Sequence, residues 1–126
     1  EQLNEIAVAQ QKQDLLKKFE LFNGINLLAS QEDMDVNNLK KVAQQLISEQ
    51  MNTVVVLTNN EDGKPSICVG VSKDLIENKG LQAGQIIREL AKEIQGGGGG
   101  QAHLATAGGK NAGGLPMVLK RIKELI

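Results

Sequence analysis

Apolar residues change their spacing along this chain, and the changes divide it into elements. From residue 1 to about residue 22 they fall at helical intervals, Leu3 and Ile6 first and Leu15, Leu16, Phe19 and Phe22 later, around the polar stretch 10–14. This predicts a connector helix over 1–22 whose second half docks on a domain formed by 23–126. A heptad through Leu3 and Ile6 puts Gln10 and Gln13 at the next core positions, which argues against a self-sufficient coiled coil. Asn23-Gly24 is read as the stop of the helix, an αL residue after its last turn.

Period-two and continuous apolar runs follow. Residues 25–29 predict a first strand. Asp35 or Asn37 then caps a helix whose apolar face is Val36, Leu39, Ala43, Leu46 and Ile47. Residues 53–58, β-branched and apolar on both faces, predict a central strand; Asp62-Gly63 turns the chain, and residues 66–71 return as its hairpin partner. A short helix near 72–78 breaks at Gly80. A longer one over 83–95 buries Ile86, Ile87, Leu90, Ala91 and Ile94. Residues 102–107 predict a last strand, and 115–126 a closing helix with Leu115, Val118, Leu119, Ile122 and Leu125 on one stripe and Pro116 in its first turn. The order is α-β-α-β-β-α-β-α, an α/β (α+β) domain with a mixed β-sheet and helices packed on it.

The glycines interrupt this pattern. Nine of the fourteen lie between Gly96 and Gly114, five of them consecutive. A flexible linker and a backbone that needs close approach are the two readings of such a run. The 26 residues after it have too little apolar surface for a core of their own, so they complete the core before it, and a tight backbone loop at the domain edge is expected.

Charge and residue chemistry narrow the function. The net charge of −1 combines −4 over residues 1–95 with +3 over residues 96–126, from Lys110, Lys120, Arg121 and Lys123 against Glu124. A general polyanion-binding balance is absent and a local basic patch remains. One cysteine, Cys68, in an apolar run reads as a core thiol, and one histidine, His103, completes no metal cluster or nucleophilic triad. Leu104 and Asn111 stand where a P-loop needs Gly and Ser/Thr. A helix C-terminus before the glycines repels phosphate; Lys110 and Gly113-Gly114, leading into the last helix, offer either an anion site or a plain turn. Phe19 and Phe22 are the only aromatic residues, so any nucleic-acid contact at the glycines reads backbone and shape. No stretch is long and apolar enough to span a bilayer, and no leader pattern is seen. The start at Glu1 gives the expectation of a piece of a longer protein.

The five glycines followed by Gln101-Ala102-His103-Leu104 and then Ala105-Thr106-Ala107-Gly108-Gly109-Lys110 resemble the glycine-rich signature of alanyl-tRNA synthetase C-terminal domains, which belong with the DHH-associated domains. The likeness extends back through residues 69–75 and 83–90. Gln101 and Ala102 depart from the basic residue and proline usual there. The resemblance implies a noncatalytic tRNA-binding and tethering domain, with contacts from Gly98, Gly99, Gly100, Gln101, Lys110, Lys120 and Arg121. It implies as partners tRNA(Ala), the other domains of a cytoplasmic synthetase and a possible homodimer. ATP, Mg and Zn would belong to the parent enzyme and no cofactor to this piece. The alternatives are the substrate-binding domain of a DHH-type phosphoesterase and a dimerisation module.

Overall fold

The valine run over 53–58 lies in the middle of a sheet. The computed structural model of the chain describes residues 13–32, 35–61 and 63–126. Among these, the strands are β1 (Glu20–Phe22), β2 (Ile25–Gln31), β3 (Thr53–Glu61), β4 (Lys64–Val71), β5 (Gly97–Gly100) and β6 (Leu104–Gly108). They form one sheet in the order β1-β2-β3-β4-β6-β5. β2 and β3 run parallel, joined through helix α1 (Val36–Glu49), and the other neighbours are antiparallel. Helices α2 (Lys73–Lys79) and α3 (Ala83–Ala91) lead from β4 to β5, and α4 (Leu115–Leu125) closes the chain.

Strand alternation sorts the core into two clusters. Val54 and Val56 of β3 face one side with Ile67, Val69, Ile87, Leu90 and the α4 residues Leu115, Val118 and Ile122. Val55 and Leu57 face the other, against Leu39, Val42, Ala43, Leu46 and Ile47 of α1. The sheet is therefore covered by α1 on one face and by α2, α3 and α4 on the other, and β3 is buried on both faces because both layers cross it. Asp35 caps α1 as expected, its carboxylate accepting the Asn38 N–H at 2.8 Å. Gly70 of β4 lets α1 approach: a Cβ there would stand 3.0 Å from Ile47 Cγ2.

Cys68 lies under α1 with no exposed surface. Burial pushes its thiol up to about 12. At neutral pH it should be inert toward a thiol reagent until the chain unfolds. Labelling of the native chain at the rate of an exposed cysteine would contradict this.

The structure corrects the predicted connector helix at its end. Residues 1–12 lie outside the described residues, 13–15 are helical, and Glu20–Phe22 form β1, with Phe22 opposite Ile25. Asn23 and Gly24 are not a helix stop but the two centres of a hairpin turn, with φ of 52° and 77°, as a type I′ turn requires. The segment before β2 wraps around this sheet edge. Leu15 is fully buried in the α1-side cluster, where Phe19 also packs, while Phe22 packs into the opposite one. Lys18 pairs with the buried Glu32 at 3.1 Å and Lys123 of α4 with Glu20 at 3.0 Å.

Candidate functional site

The glycine run is not a loop but the edge strand β5. Gly97, Gly98, Gly99 and Gly100 stand opposite Gly108, Ala107, Thr106 and Ala105 of β6, and the Gly96 N–H donates to the Ala91 carbonyl at the end of α3. Alternate glycines are required by this packing. An ideal Cβ would stand 2.5 Å from Gly109 Cα at Gly96, 2.5 Å from Ala107 Cα at Gly98 and 2.6 Å from Ala105 Cα at Gly100. At Gly97 and Gly99 it would meet nothing within 4 Å. Gly84 of α3 completes the fit, since a Cβ there would press on the Gly100 carbonyl at 3.2 Å. Strand and helix thus close on each other through bare backbone.

The turn from β5 to β6 is held on three sides. The Gln101 N–H donates to the Leu104 carbonyl at 2.9 Å, the Ala83 N–H to the Ala102 carbonyl at 2.8 Å, and the Val71 N–H to the His103 carbonyl at 2.9 Å. Between this turn and α1 lies a groove of about 390 Å³, lined among others by Lys40, Gln44, Gly99, Gly100, Gln101 and His103. Among the described residues, no Asp or Glu lines it. Its chemistry is that of a hydrogen-bonding and cationic surface: an ammonium, an imidazole, two amides and strand backbone. Gly99, Gly100 and Gln101 are thus brought into one place, whereas Gly98 is not in the lining. Lys40, Gln44 and His103 join them. Lys40 and Gln44 lie far upstream, beside the buried stripe of an ordinary amphipathic helix; the one sequence signal for them is a polar i, i+4 pair next to Leu39 and Ala43.

The remaining candidates lie elsewhere. Lys110 follows β6 at the end near Gly97, about 10 Å along the strands from Gly100 by strand rise, and its N–H donates to the Ile94 carbonyl together with that of Asn111. Gly113-Gly114 enter α4 as a packed turn: a Cβ on Gly114 would stand 2.6 Å from the Glu93 carbonyl carbon. The Gly114 N–H donates to the Asn111 carbonyl at 3.1 Å. Lys120 is exposed, and Arg121 pairs with Glu89 at 3.2 Å and Glu93 at 3.7 Å. Hydrogen bonds from Lys92 and then Arg121 hold the Glu89 carboxyl below its usual range. Both basic residues belong to the helix layer opposite α1.

Comparison with known proteins gives this geometry a family. The DHHA1 domain matches residues 24–126. An alanine–tRNA ligase of Cytophaga hutchinsonii is 44% identical over 121 residues, covering 95% of this chain but 14% of that protein. The chain therefore spans about one seventh of such relatives. The crystal structure of the C-Ala domain from Aquifex aeolicus alanyl-tRNA synthetase superposes with a TM-score of 0.80 at 30% identity, over 86% of this chain and 96% of that one. A Vibrio pGpG-specific phosphodiesterase shares the fold alone, with a TM-score of 0.55 at 16% identity over 98% of this chain and 40% of that one. The chain belongs to the DHHA1 domain family and is homologous to the C-Ala domain of alanyl-tRNA synthetases.

Proposed function

We propose that this chain is the noncatalytic tRNA-binding and tethering domain of an alanyl-tRNA synthetase, with the groove between α1 and the β5–β6 turn as its principal RNA contact. The observation that carries the reading is the mutual coverage with a C-Ala domain, 86% of this chain and 96% of that one. The parent enzyme would join alanine to tRNA(Ala) in the cytoplasm, with ATP, Mg and Zn held by other domains. The groove fits the role physically. In a chain of net charge −1, an RNA contact has to be local, and this surface offers a cation, hydrogen-bond donors and flat backbone, with no carboxylate among the described residues of its lining. Arg121, by contrast, is committed to Glu89 and Glu93. Lys110 and Lys120 are exposed and supply peripheral charge.

Titrating the chain with a tRNA(Ala) transcript at several salt concentrations tests this. Lys40→Ala should weaken binding roughly five-fold, about 1 kcal/mol for one screened contact, and lower the salt slope by about one. The Lys110→Ala/Lys120→Ala/Arg121→Ala variant should lose less through its two exposed lysines. Wild-type affinity in Lys40→Ala would remove the groove from the contact, and absence of binding by the wild type would remove the tRNA role of this chain.

A further inference from the structure

The groove does not end at His103. Beyond it, past the end of β4, a second depression of about 350 Å³ lies between α1 and α2. It shares Gln44 and His103 with the first, so the two adjoin at these side chains. Their chemistry differs. The walls of the second are apolar, from Ile47, Val71, Ile76 and Ala102, while Ser48 and Lys73 stand with the shared Gln44 and His103 among its polar lining groups. Among the described residues, no Asp or Glu lines either depression. Neither Lys40 nor Lys73 is in an ion pair among the described residues.

We infer that the second depression is a seat for one unstacked nucleobase of the bound RNA, whose flanking phosphates lie along the polar groove toward Lys40 and at Lys73. This rests on the tRNA-binding reading and adds to it a pocket for a base. The occupant follows from the pairing of surfaces. A nucleotide has a flat, weakly polar ring and an anionic backbone, and RNA recognition favours bases splayed out of a helix. The apolar walls receive the ring faces, and the imidazole of His103 is the ring in this chain placed to stack on one. Gln44 presents an amide to a base edge, and Ser48, whose hydroxyl proton goes to the Gln45 carbonyl at 3.0 Å, an acceptor oxygen. The two lysines match the charge on either side, and no carboxylate stands among the described lining residues. The site is preorganised as well, because Ala102 and His103 are fixed through their carbonyls by Ala83 and Val71.

Ser48→Trp tests the seat. Ser48 is an exposed position of α1, so an indole there fills the depression without entering the core. With a tRNA(Ala) transcript, Ser48→Trp should weaken binding about ten-fold while the melting temperature and the salt slope stay at the wild-type values, since a ring contact and no phosphate contact is lost. Adenosine 5′-monophosphate at high concentration should shift the amide resonances of Ala102 and His103 in the wild type and not in Ser48→Trp, and ribose 5-phosphate should leave them unshifted. Unchanged tRNA affinity in Ser48→Trp, or equal shifts with ribose 5-phosphate, would overturn the base seat and leave the tRNA-binding reading standing. Absence of tRNA binding by the wild type would overturn both. A lowered melting temperature in Ser48→Trp moves the decision to Ile76→Ala, which enlarges the seat and should weaken the adenosine monophosphate shifts.

Discussion

Gly98→Ala should destabilise the domain by roughly 1–3 kcal/mol, the usual cost of overpacking, while Gly99→Ala, one residue away, should be neutral or stabilising by up to about 1 kcal/mol. The two glycines differ only in where a Cβ would go. At Gly98 it meets the β6 backbone, 2.5 Å from Ala107 Cα and closer still to the Thr106 carbonyl oxygen, and backbone cannot rotate aside. Either β5 moves away from β6, straining the ladder from Gly97–Gly108 to Gly100–Ala105, or α3 moves with it. At Gly99 the same methyl enters open space with φ outside the left-handed region, so it relieves the entropy cost of a strand glycine. Urea denaturation of both variants checks the contrast. Equal stabilities would show that β5 does not lie against β6 as described.

Removal of residues 1–23 should abolish cooperative folding, although the family match begins at residue 24. Residues 13–22 belong to the core. Leu15 is wholly buried, and losing a leucine side chain at such a site costs about 2–5 kcal/mol. Phe19 and Phe22 each leave a different cluster, β1 no longer covers the edge of β2, and the buried Glu32 loses Lys18 and keeps only the Ser30 hydroxyl. Together these losses rival the 5–15 kcal/mol that holds a typical small domain folded. A chain starting at residue 13 retains all of them. Thermal melts followed by circular dichroism should show a cooperative transition for 13–126 and none for 24–126. A sharp transition in the shorter chain within a few degrees of the longer one would contradict the role of the strap.

The legible parts of this fold were those where one local pattern has one physical outcome. Residues 53–58 are apolar on both faces, and burial between two helix layers is their way to hide both. Asp35, followed by the amphipathic stripe of α1, announced a helix start and supplied the cap. The mixed sheet with helices on it followed from the order of such segments. The misread parts were those where one pattern serves two structures. Asn-Gly after an apolar stretch stops a helix or turns a hairpin, and only the partner strand β2 decides between them. A glycine run reads as loop because its members resist ordering. Here β6 approaches so closely that three of them have no room for a side chain, and that closeness is invisible in the run itself. The candidate site was legible where it is contiguous, at Gly99, Gly100 and Gln101. Lys40, Gln44 and Lys73 come to it through the parallel β2–α1–β3 connection and the end of β4, which no local spacing encodes. The positive charge of the last helix pointed away from them, because Arg121 and Lys123 serve as ties to Glu89, Glu93 and Glu20.

The most direct measurement is a map of amide and methyl resonance shifts in the chain on titration with a tRNA(Ala) transcript. The expected result is a continuous patch over Lys40, Gln44, Lys73 and residues 99–103, with α4 unaffected around Arg121. Shifts confined to Lys110, Lys120 and Arg121, with the groove silent, would contradict the assignment of the RNA contact to the α1 face.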